Sequence, residues 1–417
     1  MTFFLGVDTG GTYTDAVILQ DEEKVIASAK ALTSRQDLAI GISEAVQNVL
    51  NKSSIKPKDI SLVSLSTTLA TNALVEDQGG SVALIFVGFR DGDLAKHKIH
   101  DALKGDPVLQ TKGGHNHAGE ETCQLNIKEI KEWILNLNGI SAFAIASQFA
   151  TRNAAHEVKI IELIKSLSDK PITASHQLSS KLNGPRRALT AVLNARLIGI
   201  IDQLISRCEV TLSRMDINAP LMVVRGDGAL ISSSEAREKP IETILSGPAA
   251  SIVGAKWMTD LTLGFVSDIG GTTTDVALLK DGRPALDPAG ARVGNFRTMV
   301  EAVAVRTTGL GGDSQVHFLS EGLKGSLHLG PKRLVPISLL AHQEPHIHDV
   351  LDEQLRTSAP GEHDGKFVRL ISNPVEHSLT SRDMKVLSRI ERNSKPLKSV
   401  IQTRIEIKSL ERLVSRG

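Results

Sequence analysis

The feature that most constrains this chain is an internal repeat. Asp8-Thr9-Gly10-Gly11-Thr12-Tyr13-Thr14-Asp15 returns 260 residues later as Asp268-Ile269-Gly270-Gly271-Thr272-Thr273-Thr274-Asp275, with six of eight positions identical. Each copy sits between two short apolar runs, so each reads as strand, glycine turn, strand. A glycine pair admits positive φ and removes Cβ atoms, which lets backbone N–H groups approach an anion closely. The threonine hydroxyls add donors. The leading aspartate ends a strand, where a carboxylate can hold a hydrated Mg²⁺ or orient a water. One such turn would pass for an ordinary hairpin. Two copies point to two similar lobes gripping one nucleotide.

The rest of the chain alternates strand and helix signals. Apolar strand-like runs occupy residues 3–7, 16–19, 61–65, 82–87, 142–146, 221–224, 263–266 and 276–279. Periodic helix-like stretches occupy 37–50, 127–137, 155–167, 185–208 and 248–258. Interleaving of this kind indicates an α/β architecture. No G-x-G-x-x-G opens a helix after a strand and no G-K-[ST] occurs, which argues against a dinucleotide fold and a P-loop. With 417 residues the chain has room for two or three domains.

Composition excludes several classes. Only 13 of 417 residues are aromatic (ten Phe, two Trp, one Tyr), too few for the stacking platforms of single-stranded nucleic-acid binders. The uninterrupted apolar runs fall short of the ~18 residues that span a bilayer, so no membrane partner is expected. The two cysteines, Cys123 and Cys208, lie far apart and outside any C-x-x-C, which fits a reducing, cytoplasmic setting and small buried or half-buried thiols. Residues 366–417 carry 12 Lys/Arg against 5 Asp/Glu, a net of +7 within a chain of net +1. This basic tail reads as helical with solvated basic faces. Thr380 and Asp383 have capping-box spacing, Pro396 is placed to open a second helix, and Leu410, Leu413 and Val414 mark a third ending at Gly417, in a winged-helix-like order.

Several further segments carry a resemblance. The D-x-G-G-T-x-T-D pair resembles the two phosphate hairpins of the actin, sugar kinase and Hsp70 ATPase superfamily. Leu5–Thr12, Ser66–Leu74 (S-T-T-L-A-T-N-A-L), Gly88–Asp91 (G-F-R-D), Leu245–Ala250 (L-S-G-P-A-A) and Gly309–Ser314 (G-L-G-G-D-S) resemble segments of the hydantoinase/oxoprolinase family within it. The likeness covers residues 3–335. One departure is Leu65-Ser66, where family members carry His-Gly before the T-T-x-A-T-N segment.

That resemblance implies two RNase H-like, actin-like ATPase lobes around a nucleotide cleft, plus a helical basic C-terminal segment. The first lobe would span 1–258, with a hydantoinase A N-terminal-like part at 1–175 and a helical linking part at 176–258. An incomplete second lobe would span 259–335, and the basic segment 336–417. It implies ATP-dependent opening of a cyclic amide, a hydantoin or 5-oxoproline, with ATP and Mg²⁺ as cofactors, a B-type partner subunit, and a homo-oligomer. A small-molecule kinase and a non-enzymatic ATP-driven switch are the alternatives. Asp8 and Asp268 would hold the metal or orient water and, with Thr67 and Thr68, serve the chemistry. Gly10, Gly11, Thr12, Thr14, Gly270, Gly271, Thr272, Thr274, Gly309, Gly311 and Gly312 would bind the nucleotide.

Other residues read more plainly. Arg186 and Arg187 are expected on an exposed helix face, with recognition of a substrate carboxylate as the alternative. Arg225–Gly228 reads equally as a cleft loop or a plain turn. His97/His100, His115/His117 and His342/His346/His348 are expected to be solvated loop residues, and Pro345 disfavours a continuous helix through the last group.

Overall fold

A computed structural model describes residues 1–34, 37–321, 324–359, 361–372 and 379–415. The chain divides into two compact units, residues 1–268 with 275–307, and residues 269–274 with 308–417.

In the first unit the strands are β1 (Phe3–Thr9), β2 (Tyr13–Gln20), β3 (Lys24–Leu32), β4 (Ile60–Thr67), β5 (Val82–Val87), β6 (Val108–Thr111), β7 (Ala142–Ser147), β8 (Ile172–Ala174), β9 (Leu221–Val224) and β10 (Leu230–Ser232). The helices are α1 (Leu38–Ser53), α2 (Leu69–Val75), α3 (Asp93–Lys96), α4 (Ile99–Leu103), α5 (Ile127–Leu135), α6 (Ala155–Leu167), α7 (Ser175–Leu178), α8 (Gly184–Arg214), α9 (Ser233–Glu238) and α10 (Ser246–Thr259). Two sheets result. A six-stranded sheet runs β10-β9-β4-β1-β2-β3, and a four-stranded sheet runs β6-β5-β7-β8.

The two sheets follow different rules. In the first, β1-β2-β3 are antiparallel while β4 and β9 run parallel to β1. Its β1 alternates, with Leu5, Val7 and Thr9 buried and Gly6 and Asp8 on the other face. In the second sheet all pairings are parallel, and β5 and β7 are buried at every position. Such continuous burial is what a parallel sheet covered on both faces requires. It explains why these two runs were readable as uninterrupted apolar segments.

Helix α8 is the spine of this unit. From Arg187 to Leu197 every residue is buried, so the helix is enclosed all round over three turns. It extends beyond the expected 185–208 to Arg214, with Pro185 in its first turn and Asn183 Oδ1 accepting the Arg186 N–H. Among the described residues it is the one helix long and apolar enough to cross a bilayer, and 72% of that apolar window is buried inside the protein. Truncating Leu193, which is 1% exposed, should cost about 2–5 kcal/mol.

The same unit carries β13 (Arg283–Pro284), the two-residue pair β14 (Arg292–Val293) and β15 (Phe296–Arg297), and all but the end residues Ile269, Thr274 and Thr308 of β11 (Gly264–Ile269), β12 (Thr274–Lys280) and β16 (Val305–Thr308). β12 is the hub of a sheet in which β11, β13 and β16 pair with it or in line with it. Its small core is Ala249, Ile252, Ala277, Leu279 and Val303.

The second unit holds a long antiparallel ribbon of β17 (Ser314–Glu321) and β18 (Lys324–Arg333). It continues through α11 (Ile337–Gln343), α12 (His346–Leu355), β19 (Phe367–Val368), α13 (Ser381–Leu387), β20 (Lys395–Pro396), α14 (Leu397–Val400) and α15 (Arg404–Ser415). The capping box forms: Thr380 Oγ1 accepts the Asp383 N–H and Asp383 accepts the Thr380 N–H. Pro396 does precede a helix, and Pro345 does separate α11 from α12. The predicted helix end at Gly417 lies outside the described residues. Basic residues of the tail are partly consumed internally, since Arg389 pairs with Glu406 and Arg412 with Asp383. The Arg389 guanidinium and the Gln402 N–H hold the Glu406 carboxyl down to about 2.

Candidate functional site: two aspartates at one helix

The alternation of β1 decides what surrounds Asp8. Asp8 pairs in register with Asp15 on β2 and Ser66 on β4, and Gly6 with Val17 and Ser64. These positions share one face because side chains on a strand alternate. The face is made of small and polar residues, and above it lies a cavity of about 450 Å³ that also takes in Lys30, Lys52 and Ala250. Gly6 keeps its floor open, since a Cβ there would lie 3.1 Å from Val17 Cγ1.

Asp8 is half-buried, and its Oδ1 has no hydrogen-bond partner. Its carboxyl is pushed above the ordinary range, chiefly by burial. The Ser66 side chain offsets part of this, and the charges of Asp15 and Asp268 add to it. Asp8 and Asp268 therefore lie within electrostatic reach of each other. Asp15 is itself bound to Lys30 on β3, at 3.0 Å.

Helix α10 connects the two aspartates. Ala250, in its second turn, lines the Asp8 cavity, and the next residue, Ser251, donates its hydroxyl to Asp268 Oδ2 at 2.8 Å. Asp275 accepts the Thr307 hydroxyl at 2.5 Å. The start of α10 is tied to the T-T-L-A-T-N segment. Ser246 Oγ donates to the Thr67 carbonyl at 2.8 Å, and the Leu245 N–H donates to Thr71 Oγ1 at 3.1 Å. Thr67 ends β4, where its Oγ1 accepts the Leu69 N–H, and Thr68 opens α2 without a side-chain cap of its own. Two segments about 180 residues apart thus meet beside the first glycine turn.

The two glycine turns are built alike. Gly10 N–H donates to the Tyr13 carbonyl at 3.0 Å, and Gly270 N–H to the Thr273 carbonyl at 2.9 Å. A Cβ on Gly11 or Gly271 would meet nothing within 4 Å. Thr14 Oγ1 shares a hydrogen bond with Thr33, and Thr274 Oγ1 donates to the Leu310 carbonyl. The expected positive φ is overturned, because neither pair, nor Gly309, Gly311 or Gly312, adopts it. Close approach is the reason for glycine instead. A Cβ on Gly311 would stand 2.6 Å from the Gly271 carbonyl and the Thr272 nitrogen. The Gly311 N–H donates to Ser314 Oγ within its own loop, and the Gly312 N–H donates to the Gly270 carbonyl and braces the second turn.

Other expectations need correction. Arg187 is on no exposed face: it is 1% exposed. Arg186 is half-buried and donates to the backbone carbonyls of Arg297 and Ala289. His115 is not solvated but buried, its ring 4.4 Å from that of His156. Arg225–Gly228 is a plain turn, with the Arg225 guanidinium on Asp227 and Glu242. His117, His342, His346 and His348 are exposed, and among the described residues no group of three or more His, Cys, Asp and Glu could hold a metal ion. The cavity residues Ser64, Ser66, Lys30 and Lys52 were missed. Cross-strand register, the signal that brings them to Asp8, does not exist in a linear sequence. Ser66 was visible as the first residue of the S-T-T-L-A-T-N-A-L segment and as one half of the Leu65-Ser66 departure, but with no role assigned.

The chain is similar to known proteins. The hydantoinase/oxoprolinase N-terminal region matches residues 4–168, and the hydantoinase/oxoprolinase domain matches 187–334. The acetophenone carboxylase gamma subunit of Aromatoleum aromaticum is 25% identical, over 79% of this chain and 49% of its own length. The caprolactamase subunit alpha of Pseudomonas jessenii is 26% identical, over 79% of this chain and 50% of its own. The crystal structure of that ATP-dependent caprolactamase superposes with a TM-score of 0.66, over 79% of this chain and 51% of the other. Nucleotide-free acetone carboxylase shares the mixed α/β fold at 19% identity, with a TM-score of 0.65 over 82% of this chain and 55% of the other. The chain spans about half the length of these relatives. On both domains it belongs to the hydantoinase/oxoprolinase family.

Proposed function

We propose that this chain is the nucleotide-using part of an ATP-dependent enzyme that opens a cyclic amide such as a hydantoin or 5-oxoproline. The observation that carries the reading is Asp8: a half-buried carboxylate with an unpartnered oxygen, in a polar cavity, within electrostatic reach of the matching Asp268 of the second glycine turn. The strand order β3-β2-β1-β4-β9, antiparallel then parallel, supports an RNase H-like, actin-like first lobe spanning 1–258. The duplicated turn at 270–273 supports a second, incomplete lobe over 259–335, followed by the basic segment 336–417.

In this reading the turns Gly10–Thr12 and Gly270–Thr272, with Thr14 and Thr274, take the phosphates. Gly309, Gly311 and Gly312 shape the nucleotide side of the second turn. The uncapped start of α10 beside Thr67 and Thr68 adds N–H donors and a favourable dipole. Mg²⁺ fits the donor set, since two carboxylates and no nitrogen or sulfur ligands suit a hard cation that keeps most of its water. Asp8 and Asp268 would hold it, and it would neutralise charge on the transferring phosphoryl group.

A lactam carbonyl is a poor electrophile and its nitrogen a poor leaving group. Its oxygen attacks the γ-phosphorus, the bond to ADP breaks, and the ring carbon becomes electrophilic. Water then adds to that carbon, the ring nitrogen takes a proton, and the C–N bond opens to leave an acyl phosphate, which a second water hydrolyses to the carboxylate and phosphate. The chain's task is to position and to stabilise charge. A B-type partner subunit and a homo-oligomer complete the proposed assembly. The test is phosphate release from ATP with hydantoin or 5-oxoproline, with and without a partner subunit. Substrate-dependent release is expected. Turnover left intact in both Asp8→Ala and Asp268→Ala would overturn the assignment.

A further inference from the structure

Two arginines on α8 are buried, and they are treated differently. Arg196 is ion-paired with Asp106 at 2.6 Å and donates to the carbonyls of Gly80, Ala102 and Leu103. Arg187, in the first turn, is 1% exposed and donates once, from Nη1 to the Lys181 carbonyl. Its Nε and Nη2 have no partner. Those two N–H groups form one edge of the guanidinium, the fork that accepts both oxygens of a carboxylate side by side.

The acid nearest by charge does not fill the fork. Glu157 is fully buried, and its Oε1 accepts the Ser147 N–H and the Ser175 hydroxyl. Its Oε2 accepts the His176 N–H and contacts His176 Nδ1. Ser147, which ends β7, has its own Oγ buried and unpartnered. These groups lie at the carboxyl ends of the parallel strands β7 and β8, where open α/β sheets place ligands. Gly184 and Phe89 pack closely over the free edge. A Cβ on Gly184 would lie 2.7 Å from the Phe89 ring and 3.8 Å from Arg187 Nη2, and both Gly184 and Phe89 are half-buried. Burial is also the main reason the Arg187 guanidinium is held below its ordinary range, with Glu157 opposing it.

We propose that the Nε/Nη2 edge of Arg187, at the carboxyl end of the four-stranded sheet and beneath Gly184 and Phe89, anchors a binding site for a small carboxylate. A buried, charged fork without a counter-ion is costly, and a carboxylate removes that cost while matching its spacing. The site needs no nucleotide and stands apart from the ATP reading.

The experiment is thermal unfolding of the full chain, without nucleotide, in three additives against sodium chloride at matched ionic strength. Acetate is the minimal carboxylate, 5-oxoproline a ring that carries one, and 2-pyrrolidinone the same ring without it. Acetate and 5-oxoproline are expected to raise Tm by a few degrees at roughly tenfold or more over their Kd, and 2-pyrrolidinone to leave it unchanged. Arg187→Gln, confirmed to melt cooperatively, should lose both shifts, and Arg187→Lys most of them. No shift from either carboxylate in the wild type, or the same shifts in Arg187→Gln, overturns the proposal. Should Arg187→Gln not fold, a wild-type crystal soaked in 5-oxoproline decides. Carboxylate oxygens about 2.8 Å from Nε and Nη2 are expected, and a carboxylate bound elsewhere overturns it.

Discussion

The two glycine turns share a sequence and a backbone hydrogen bond, yet their aspartates live in different surroundings. Asp8 is half-buried in a six-stranded sheet, with an unpartnered oxygen and a carboxyl pushed upward by burial. Asp268 is exposed, on a strand whose other residues are half-buried or exposed, and accepts the Ser251 hydroxyl. The matching acids at the far ends differ as well, Asp15 meeting a lysine and Asp275 a threonine. A repeat in sequence thus fixes the turn but not the electrostatics, which come from the sheet around it. One copy carries a strained charge and the other a solvated one, so the same substitution should act differently in each.

The largest expected difference is between Asp8→Asn and Asp268→Asn. Under the proposed function both lower substrate-dependent ATP turnover, Asp8→Asn by about 10²–10³-fold, in the range found when a preorganised electrostatic group is lost. Only Asp8→Asn should also raise Tm, because it removes a buried charge that is not fully compensated. Calorimetry beside a phosphate-release assay reads both effects. A turnover loss without stabilisation would mean that Asp8 is better solvated than its burial indicates.

The pH dependence follows from the same shift. The folded-state pKa of Asp8 is raised above the unfolded value near 3.8, so the folded form binds the proton more tightly. The contribution to stability is fully present below the unfolded pKa and is lost as pH rises through the folded one. Between about pH 4 and neutrality, wild-type Tm should gain less with pH than that of Asp8→Asn. Parallel curves would mean that Asp8 titrates alike in the folded and unfolded chain. Asp268→Asn serves as the comparison.

What was legible in the sequence follows the same division. The glycine turns, the fully buried β5 and β7 and the helices α6 and α10 declare themselves through composition or period. Strand β3 does not, because Lys24–Leu32 is an alanine-rich edge with little buried surface to impose alternation. Among the described residues the β17–β18 ribbon is a two-stranded sheet by itself. Within the site, Asp8 was legible from its motif. The hydroxyls of Ser64 and Ser66 were not, since register rather than sequence distance brings them to Asp8. Arg187 failed for a further reason: a charged residue in the first turn of a helix reads as solvent-facing unless the packing around that turn is known.

A smaller effect separates the glycines. Gly311→Ala forces a Cβ to 2.6 Å from backbone atoms of Gly271 and Thr272, which cannot move aside as a side chain would. A destabilisation of roughly 1–3 kcal/mol is expected, read by denaturant unfolding. Gly11→Ala meets nothing within 4 Å and takes no left-handed backbone, so it should stay within about 0.5 kcal/mol of wild type. Its ATP affinity should nonetheless fall if phosphate packs against that open side. Unchanged affinity would move the phosphate away from the first turn.

The smallest effect concerns the far ends of the hairpins. Asp15 and Lys30 are 48% and 56% exposed at the side chain, so solvent screens their ion pair and Asp15→Asn should cost less than about 1 kcal/mol. Its informative consequence is indirect. The Asp15 charge is one of the influences that raise the Asp8 carboxyl, so removing it should let Asp8 ionise at lower pH. Under the proposed function the acid limb of the turnover profile should then move to lower pH with little change in its plateau. Asp275→Asn lies on the other hairpin, where its carboxylate accepts the Thr307 hydroxyl, and should leave that limb in place. If the two variants shift it equally, the two hairpins are not electrostatically distinct, and the contrast between Asp8 and Asp268 loses its basis.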